Sequence, residues 1–501
     1  MYIIPLFVVI PLGSAFLVSL LGKRVKRFSD VLSNLATFSL FFISLVSIYL
    51  VRTQGILVYK VGGWIPPIGI SMVMDGLTSF MLVTVNLIAF LVAIYSISYM
   101  EKYTTKDKFY TLFLLMLAGM NGVIITGDMF NLFVFLEIAA ISSYALVAFG
   151  TEAEELEASF KYAVMGSLAS SFILLGIALL YSFTSTLNMA DISQTLAQGG
   201  SNKIIFFVSV LFLMGFGLKA ALVPFHWWLP DAHPSAPAPI SAMLSGVLIK
   251  VLGIYALVRV LFNVLGLGEI KLILQILMVL GIISMVVGAL LALGQKDFKR
   301  LLAYSSISQI GYIIFAFGLG TSIGFLGALF HLFNHSVFKS LLFLNSGAVV
   351  YATGNRDLEK MGGLSQKMPV TGTTSLIASM SISGIPPFSG FWSKLIIIIA
   401  AIQAGQFIFA FIAILVSIIT LAYYLKVQKL AFFGELRQEW ERVKEVPFPM
   451  KLSMVILSII CLVGGLLLIP AISEVFLKAA GDVLLAGKEY AALVFGALQV
   501  R

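Results

Sequence analysis

The chain has 501 residues, of which 60% are hydrophobic and 11% are charged, with a formal net charge of +9. Soluble domains are about half apolar and a quarter charged, so this composition excludes a soluble enzyme, a nucleic-acid-binding domain and a disordered scaffold. An apolar stretch of about 20 residues crosses a bilayer, which leaves room for well over ten spans. The excess of Lys and Arg is therefore interpreted as cytoplasmic loop charge rather than as a nucleic-acid surface.

Apolar runs separated by loops predict about fourteen membrane spans. We expect each to be helical, because a spanning segment must satisfy its own backbone hydrogen bonds. The fold class predicted is an all-α membrane protein. The first run has basic residues after it and none before it, unlike a secretory signal peptide. The spans lie near 3–21, 29–51, 72–98, 109–126, 128–149, 160–183, 203–223, 240–262, 271–293, 301–319, 322–350, 369–403, 407–432 and 451–470.

The loop charges predict the orientation of these spans. With the N-terminus outside, sixteen basic residues fall in cytoplasmic loops: Lys23, Arg24, Lys26, Arg27, Lys102, Lys106, Lys108, Lys296, Lys299, Arg300, Arg356, Lys360, Lys367, Arg437, Arg442 and Lys444. Five fall in outer loops: Arg52, Lys60, Lys203, Arg259 and Lys271. Short cytoplasmic loops carry the excess of Lys and Arg, so we expect a cell-membrane protein with both termini outside.

Two spans contain proline-rich interruptions. The seventh runs to Lys219 and then meets Pro224-Phe-His-Trp-Trp-Leu-Pro-Asp-Ala-His-Pro, and the twelfth contains Gly384-Ile-Pro-Pro-Phe-Ser-Gly. Proline removes a helix donor and clashes with the preceding turn. Paired broken segments in the two halves of a chain indicate inverted repeats. A faint repeat supports this, since Tyr144 and Tyr312 match at an offset of 168 residues.

Ionisable residues at membrane depth are the candidates for function, because a centred charge costs about 2.5–3.5 kcal/mol on insertion scales. Glu137 lies midway along span five, too far from either end to reach the interface. Lys219 borders the first break, and we expect it to pair with Glu137. Lys250 lies within span eight and Lys394 follows the second break. The alternative for each is a side chain that reaches the interface or a structural ion pair.

A second group of candidates lies on spans six and eleven. His331 and His335 are four residues apart and share a helix face, with Lys339 one turn further on. The histidine pair lacks further metal ligands, so a polar relay or simply packed histidines remain the interpretations. Lys161 is either a further relay residue or an ion-pair partner of the acids that precede it, Glu152, Glu154, Glu155 and Glu157.

This series of residues suits proton transfer, because each group can exchange a proton if its pKa approaches the working pH. No cofactor and no metal site are expected. Cys461 is the single cysteine, whereas an iron–sulfur cluster needs several thiolates. A haem- or quinone-binding redox enzyme is a second hypothesis, disfavoured because His331 and His335 share one helix. A scaffold that has lost transport is a third, disfavoured by the insertion cost of the charges.

Five stretches carry a resemblance to a known family. They are Asn131-Leu-Phe-Val-Phe-Leu-Glu, Lys219-Ala-Ala-Leu-Val-Pro-Phe-His-Trp-Trp-Leu-Pro-Asp-Ala-His, Asp297-Phe-Lys-Arg-Leu-Leu-Ala-Tyr-Ser-Ser-Ile-Ser-Gln, His331-Leu-Phe-Asn-His and Gly384-Ile-Pro-Pro-Phe-Ser-Gly-Phe-Trp-Ser-Lys. The chain resembles the antiporter-like subunits of respiratory complex I and its relatives. Within that family it is most similar to the D-type members of the Mrp-type multisubunit Na+/H+ antiporters.

The resemblance implies two inverted five-helix repeats, spans four to eight and nine to thirteen, with helices seven and twelve broken. It implies an N-terminal three-helix segment at 1–100, a first antiporter repeat at 109–262 and a second at 271–432. The last span and an outer amphipathic tail occupy 451–501. Charged residues interrupt that tail too often for a fifteenth span.

The resemblance also implies roles. Glu137 and Lys219 are similar to the family's essential ion pair, Lys250 to its central lysine, and His331 and His335 to the histidines that link the half-channels. Lys394 matches a position that is Lys in some members and Glu in others. The substrate implied is H+, with coupling to Na+.

The partners implied are other subunits of an Mrp-type antiporter, together with membrane lipid. The same module occurs in redox-driven complexes of the hydrogenase and sulfane-reductase types, which stay open as an alternative. The absence of a long extension with a lateral helix disfavours the largest antiporter-like subunit of complex I.

Overall fold

The chain is built mainly of helices in the computed structural model, which describes residues 2–25, 27–103, 105–199 and 203–499. In the first half these are α1 Leu6–Leu21, α2 Phe28–Gln54, α3 Gly76–Tyr99, α4 Lys106–Ile125, α5 Met129–Val147, α6 Ala153–Thr184, α7 Met189–Gly199, α8 Lys203–Lys219, α9 Leu229–Ser235, α10 Ala238–Met243 and α11 Ala256–Val258. In the second half they are α12 Lys271–Leu293, α13 Phe298–Gly318, α14 Ser322–Thr353, α15 Pro369–Ser383, α16 Ser389–Gln403, α17 Phe407–Val427, α18 Phe448–Val463, α19 Pro470–Ser473, α20 Ala479–Leu485 and α21 Tyr490–Gln499.

Many of these helices match the dimensions of a bilayer. Among the described residues, ten helical segments are long and apolar enough to cross a membrane, and two shorter apolar helices, α1 and α16, accompany them. The prediction of a mainly helical membrane protein is confirmed at this level. A short hairpin departs from an all-helical chain: β1 (Leu57–Lys60) pairs antiparallel with β2 (Ser71–Met74), with Leu57 opposite Met74. Val58, Tyr59 and Val73 are residue types that favour a strand in this loop.

Both proline-rich segments interrupt helices. Helix α8 ends at Lys219 and α9 begins at Leu229, while α15 ends at Ser383 and α16 begins at Ser389. Each break frees backbone carbonyls that need other donors. At the first break the indole Nε1 of Trp228 donates to the Leu218 carbonyl at 3.1 Å. This hydrogen bond supplies a donor to one of the carbonyls that the first break leaves without a helical partner.

Span eight contains irregular helical turns, and no proline lies within those turns to predict them. The segment Ala238–Val264 is completely buried by its neighbours, and wide π-turns occupy Leu244–Leu248, Lys250–Tyr255 and Arg259–Val264. Such turns are rare and frequently occur at functional sites. They leave Lys250 in the middle of a helix whose backbone is locally widened.

Glycine allows two central helices to meet closely. A methyl group on Gly281 of α12 would lie 2.5 Å from the Phe315 amide nitrogen of α13, and one on Gly311 would lie 2.5 Å from the Gly281 carbonyl oxygen. Side chains at these positions would force the two backbones apart. Small residues let membrane helices approach in this way.

A carbonyl that a proline leaves without a helical donor connects α1 to the rest of the bundle. Pro11 lies inside α1 and has no N–H for the carbonyl of Phe7, four residues earlier. The Asn121 amide of α4 donates to that carbonyl at 3.1 Å, and it also exchanges hydrogen bonds of 3.2 Å with Asn86 of α3. These buried polar contacts connect three helices, so they fix the position of α1 against α3 and α4.

The two ends of the bundle differ in charge. At one end Lys106 pairs with Asp30 at 2.8 Å and Arg356 pairs with Glu154 at 2.8 Å, so loops far apart in sequence meet. We call this end the basic face, because the loops predicted to be cytoplasmic meet there. Lys26 lies outside the described residues. The opposite face carries β1, β2 and the C-terminal helices α19 to α21.

A buried ion pair organises the opposite face. Arg259 Nη1 and Nη2 lie 2.7 and 2.8 Å from the two carboxylate oxygens of Asp75, which caps α3. The Thr78 amide also donates to Asp75 Oδ1 at 2.9 Å. The Tyr490 ring of α21 lies 5.7 Å from the Arg259 guanidinium. The C-terminal helices are thus packed onto the bundle.

Candidate functional site

The first half of the molecule contains a Lys–Glu pair at a helix break. Lys219 is the last residue of α8, and its Nζ lies 3.6 Å from Glu137 Oε1 on α5. The lysine also donates to the Tyr144 hydroxyl at 3.3 Å, and Ser170 of α6 donates to Glu137. The lysine side chain is 3% exposed and the glutamate 25%, so Glu137 is the more accessible partner of the pair.

The position of Tyr144 depends on a glycine. A methyl group on Gly166 of α6 would lie 1.8 Å from the Tyr144 hydroxyl oxygen. Any larger residue would therefore displace this hydroxyl, which contacts Lys219. The glycine leaves space for a polar group beside the ion pair.

The centre of the molecule contains Lys250 and His335. Lys250 Nζ donates to the Gly246 carbonyl at 2.7 Å and to the Ser245 carbonyl, both on its own helix. His335 on α14 interacts electrostatically with Lys250 and Lys339. Neither ring nitrogen of His335 has a hydrogen-bond partner in the described part of the chain. Lys250 and His335 are both completely buried.

His331 differs from His335, although it lies one turn away on the same helix. Its Nδ1 lies 2.9 Å from the Ser393 hydroxyl and its Nε2 lies 3.2 Å from the Gln309 amide oxygen. The ring centroids of the two histidines are 6.4 Å apart. His331 therefore links α14 to α13 and α16, while His335 faces the central lysines.

The second half places two lysines among hydroxyl groups. Lys394 on α16 donates to the Ser417 hydroxyl at 2.9 Å, and its Nζ lies 4.9 Å from the Tyr312 ring centroid. Lys339 donates to Ser305 and, at 3.2 Å, to the Tyr424 hydroxyl. Within the described residues Lys250, Lys339 and Lys394 form no ion pair.

Lys161 lies apart from these buried groups. It pairs with Glu157 at 2.8 Å and with Asp231 at 3.1 Å, and its side chain is 47% exposed. These contacts belong to a charged cavity of about 360 Å³ at the basic face, which Arg300 and Arg356 also line. The structure therefore places Lys161 in a network of ion pairs at the basic face, and its role in the relay stays a prediction.

Several polar neighbours of the site have no sequence signature. Serine and tyrosine are ordinary residues of membrane helices, and only folding reveals that they contact the charged groups. The same holds for His233, which is buried with both ring nitrogens unpartnered in the described chain. No group of three or more His, Cys, Asp or Glu that could hold a metal occurs among the described residues. The hydroxyl groups that sequence reasoning did not identify as partners of the charged groups are those of Tyr144, Ser170, Ser305, Ser393, Ser417 and Tyr424.

Known proteins share this arrangement of helices. Residues 126–420 match the profile of the family "NADH:quinone oxidoreductase/Mrp antiporter, TM", and residues 64–110 match "NADH-Ubiquinone oxidoreductase (complex I), chain 5 N-terminus". The D subunit of the Na(+)/H(+) antiporter of Alkalihalophilus pseudofirmus is 33% identical over 465 residues, 92% of each chain.

Two solved structures have similar folds. A chain of the Mrp complex from Dietzia sp. has a TM-score of 0.90 and 28% identity, over 99% of this chain and 100% of its own. A chain of the archaeal membrane-bound sulfane sulfur reductase has a TM-score of 0.89 and 32% identity over the same shares. From the match over most of its length, the chain belongs to the NADH:quinone oxidoreductase/Mrp antiporter transmembrane family.

Proposed function

We propose that this chain is a proton- or cation-translocating subunit of a multisubunit membrane complex. The observation that carries the proposal is the buried Lys219–Glu137 pair at a helix break, with Lys250, His335 and Lys394 following it through the bundle. Ionisable residues inside a membrane protein are costly and typically mark an ion pathway. Relatives named as Na+/H+ antiporter subunits support H+ as the translocated ion and Na+ as the coupled cation.

The relay that we propose runs laterally from Glu137 and Lys219 through Lys250 to the histidines, and then to Lys394. Lys339 joins it beside His335. In this mechanism the ion pair opens and closes, so that Lys219 passes a proton when Glu137 no longer holds its charge. Hydroxyl groups accept hydrogen bonds from Lys219, Lys339 and Lys394. Backbone carbonyls accept those of Lys250, so the whole chain of groups is polar.

We further propose fourteen spans with two inverted repeats at 109–262 and 271–432. The lysines near the two helix breaks, Lys219 before the first and Lys394 after the second, support this arrangement, because they lie beside equivalent tyrosines. Lys219 Nζ is 6.0 Å from the Tyr144 ring centroid and Lys394 Nζ is 4.9 Å from that of Tyr312. The two tyrosines are the pair that match at an offset of 168 residues.

A second correspondence has its charge reversed. Ser170 donates to Glu137 in the first half, whereas Lys339 donates to Ser305 in the second half. The offsets are 168 residues for Glu137 and Ser305 and 169 for Ser170 and Lys339. The acid Glu137 of the first proposed repeat thus corresponds to the hydroxyl of Ser305 in the second. The hydroxyl of Ser170 corresponds in the same way to the basic Lys339.

Replacement of Lys219 tests the proposed transport. In everted vesicles that contain the whole complex, Lys219→Ala should abolish cation-coupled proton movement. The substitution removes the ammonium group that pairs with Glu137 and passes the proton. Lys203→Ala, at the exposed opposite end of the same helix, should transport normally. Subunit recovery on purification shows whether each complex assembles. Full transport by an assembled Lys219→Ala complex would refute the proposal.

A second candidate function is ion pumping within a redox-driven complex. It is favoured by the sulfane-reductase chain, whose fold similarity is 0.89 by TM-score and which is more identical in sequence than the Mrp chain. Purification of the intact complex from native membranes separates the candidates. Iron–sulfur subunits in stoichiometric amounts would identify the redox-driven complex, and small membrane subunits without them would identify the antiporter.

A further inference from the structure

A groove at the basic face lies between α2 and the end of α3. Its volume is about 540 Å³, within the range of small-molecule sites, roughly 300–1,000 Å³. Arg27, Asp30 and Glu101 line the end of the groove nearest the loops. Val31, Leu35 and Phe38 line the part that continues along α2. The groove therefore has a charged end beside the loops and an apolar end on the exposed side of α2.

The charges in this groove balance once Lys106 is counted, and two of them have no ion-pair partner among the described residues. Lys106 Nζ lies 2.8 Å from Asp30 Oδ1 and 2.9 Å from Oδ2, so the Asp30 charge is neutralised within the protein. Arg27 and Glu101 are exposed, and neither has an ion-pair partner in the described part of the chain. Among the described residues, the groove thus presents one cation and one anion without an ion-pair partner, and these complement a ligand carrying both charges.

The apolar end fits a hydrocarbon chain better than another helix. Val31, Leu35 and Phe38 are 65%, 58% and 50% exposed, and this stripe of large side chains continues along α2 through Phe42 and Leu45. Helices that pack in membranes present small residues to each other. On α2 the small residues face inward instead: Ser29, Ser33, Ala36, Thr37, Ser44 and Ser47 are all buried.

From this charge balance and this apolar stripe, we propose that the groove between α2 and α3 binds a phosphatidylethanolamine molecule. Its phosphate accepts hydrogen bonds from the Arg27 guanidinium, its primary ammonium donates to the Glu101 carboxylate, and an acyl chain lies along Val31, Leu35 and Phe38. A quaternary ammonium has no N–H to donate, so phosphatidylcholine is a poorer ligand. An anionic headgroup lacks the cation that Glu101 needs.

Lipid rebinding to the intact complex tests this site. The complex is stripped of lipid, incubated with dioleoyl phosphatidylethanolamine, phosphatidylcholine or phosphatidylglycerol, and examined by native mass spectrometry. We expect phosphatidylethanolamine to bind with the highest affinity. Arg27→Ala and Glu101→Gln should each weaken it by about tenfold, the equivalent of one lost hydrogen bond to a charged group. Arg52→Ala, an exposed change at the other end of α2, serves as the matched control and should bind normally.

Three results would overturn the proposal. Equal binding of phosphatidylcholine would show that the ammonium hydrogens are not recognised. Preference for phosphatidylglycerol, increased by Glu101→Gln, would identify an anionic-lipid site. Cross-linking of a Val31→Cys complex to a neighbouring subunit would show that protein covers the groove. The wild-type comparison of the three lipids needs no variant, so a variant that fails to assemble leaves the proposal open to refutation.

Discussion

At the scale of single residues, the candidate relay depends on neutral groups as much as on charges. Lys219 contacts both a carboxylate and the Tyr144 hydroxyl, while Lys394 contacts a serine hydroxyl and a tyrosine ring. The charged residues are recognisable in sequence, because a lysine inside an apolar run is rare. Their hydroxyl partners are not, because serine and tyrosine occur throughout membrane helices. The buried lysines are therefore predictable from sequence, whereas the groups that hold them are not.

Gly166→Ala should reduce transport. The added methyl group would lie 1.8 Å from the Tyr144 hydroxyl oxygen and must displace it from Lys219. Loss of one hydrogen bond at the reacting group predicts a decrease in transport rate of about tenfold. The measurement is cation-coupled proton movement in vesicles that contain equal amounts of assembled complex.

Three further variants control this prediction. Gly13→Ala adds a methyl group where no atom lies within 4 Å, so transport should be unchanged. Tyr144→Phe removes the same hydroxyl directly and should reproduce the defect, and the double variant should be little worse than either single one. Normal transport in the assembled Gly166→Ala complex would show that the Tyr144 hydroxyl is dispensable.

At the scale of helices and loops, local chemistry predicts some features and misses others. Both helix breaks lie at proline-rich segments, because proline acts through its own missing N–H. The π-turns of span eight have no comparable signal, since they arise where packing around the helix makes wide turns favourable. Likewise, Asp75 and Arg259 are 184 residues apart, so nothing in the local sequence of either indicates the other.

Arg259→Ala should destabilise the protein strongly. It would leave the Asp75 carboxylate buried without its counter-charge, and breaking a buried pair in this way costs about 3–5 kcal/mol. The thermal unfolding midpoint of the purified complex should fall accordingly. The double variant Asp75→Leu/Arg259→Met, which removes both charges, should recover much of this loss. Equal midpoints for Arg259→Ala and the wild type would mean that the buried pair does not stabilise the protein.

At the scale of the whole molecule, the proposed orientation places the basic face in the cytoplasm. Labelling of introduced cysteines can test this orientation, because the single native cysteine, Cys461, is only 1% exposed. Lys360→Cys at the basic face should react with a membrane-impermeant maleimide in everted vesicles only. Thr53→Cys at the opposite face should react in intact cells only. Both positions are exposed in the structure, so the reverse pattern of labelling would contradict the orientation.

Composition, hydropathy and proline positions were enough to establish the class of the protein and most of its candidate charges, but the partners of those charges became known only from the fold. Hydropathy and proline act locally, so they are visible along the chain. Partners are chosen by helix packing, which brings Tyr144 to Lys219 and Ser417 to Lys394. Packing also separates Lys161 from the buried groups and places it in a surface network with Asp231. Such contacts join residues far apart in sequence, where no local pattern records them.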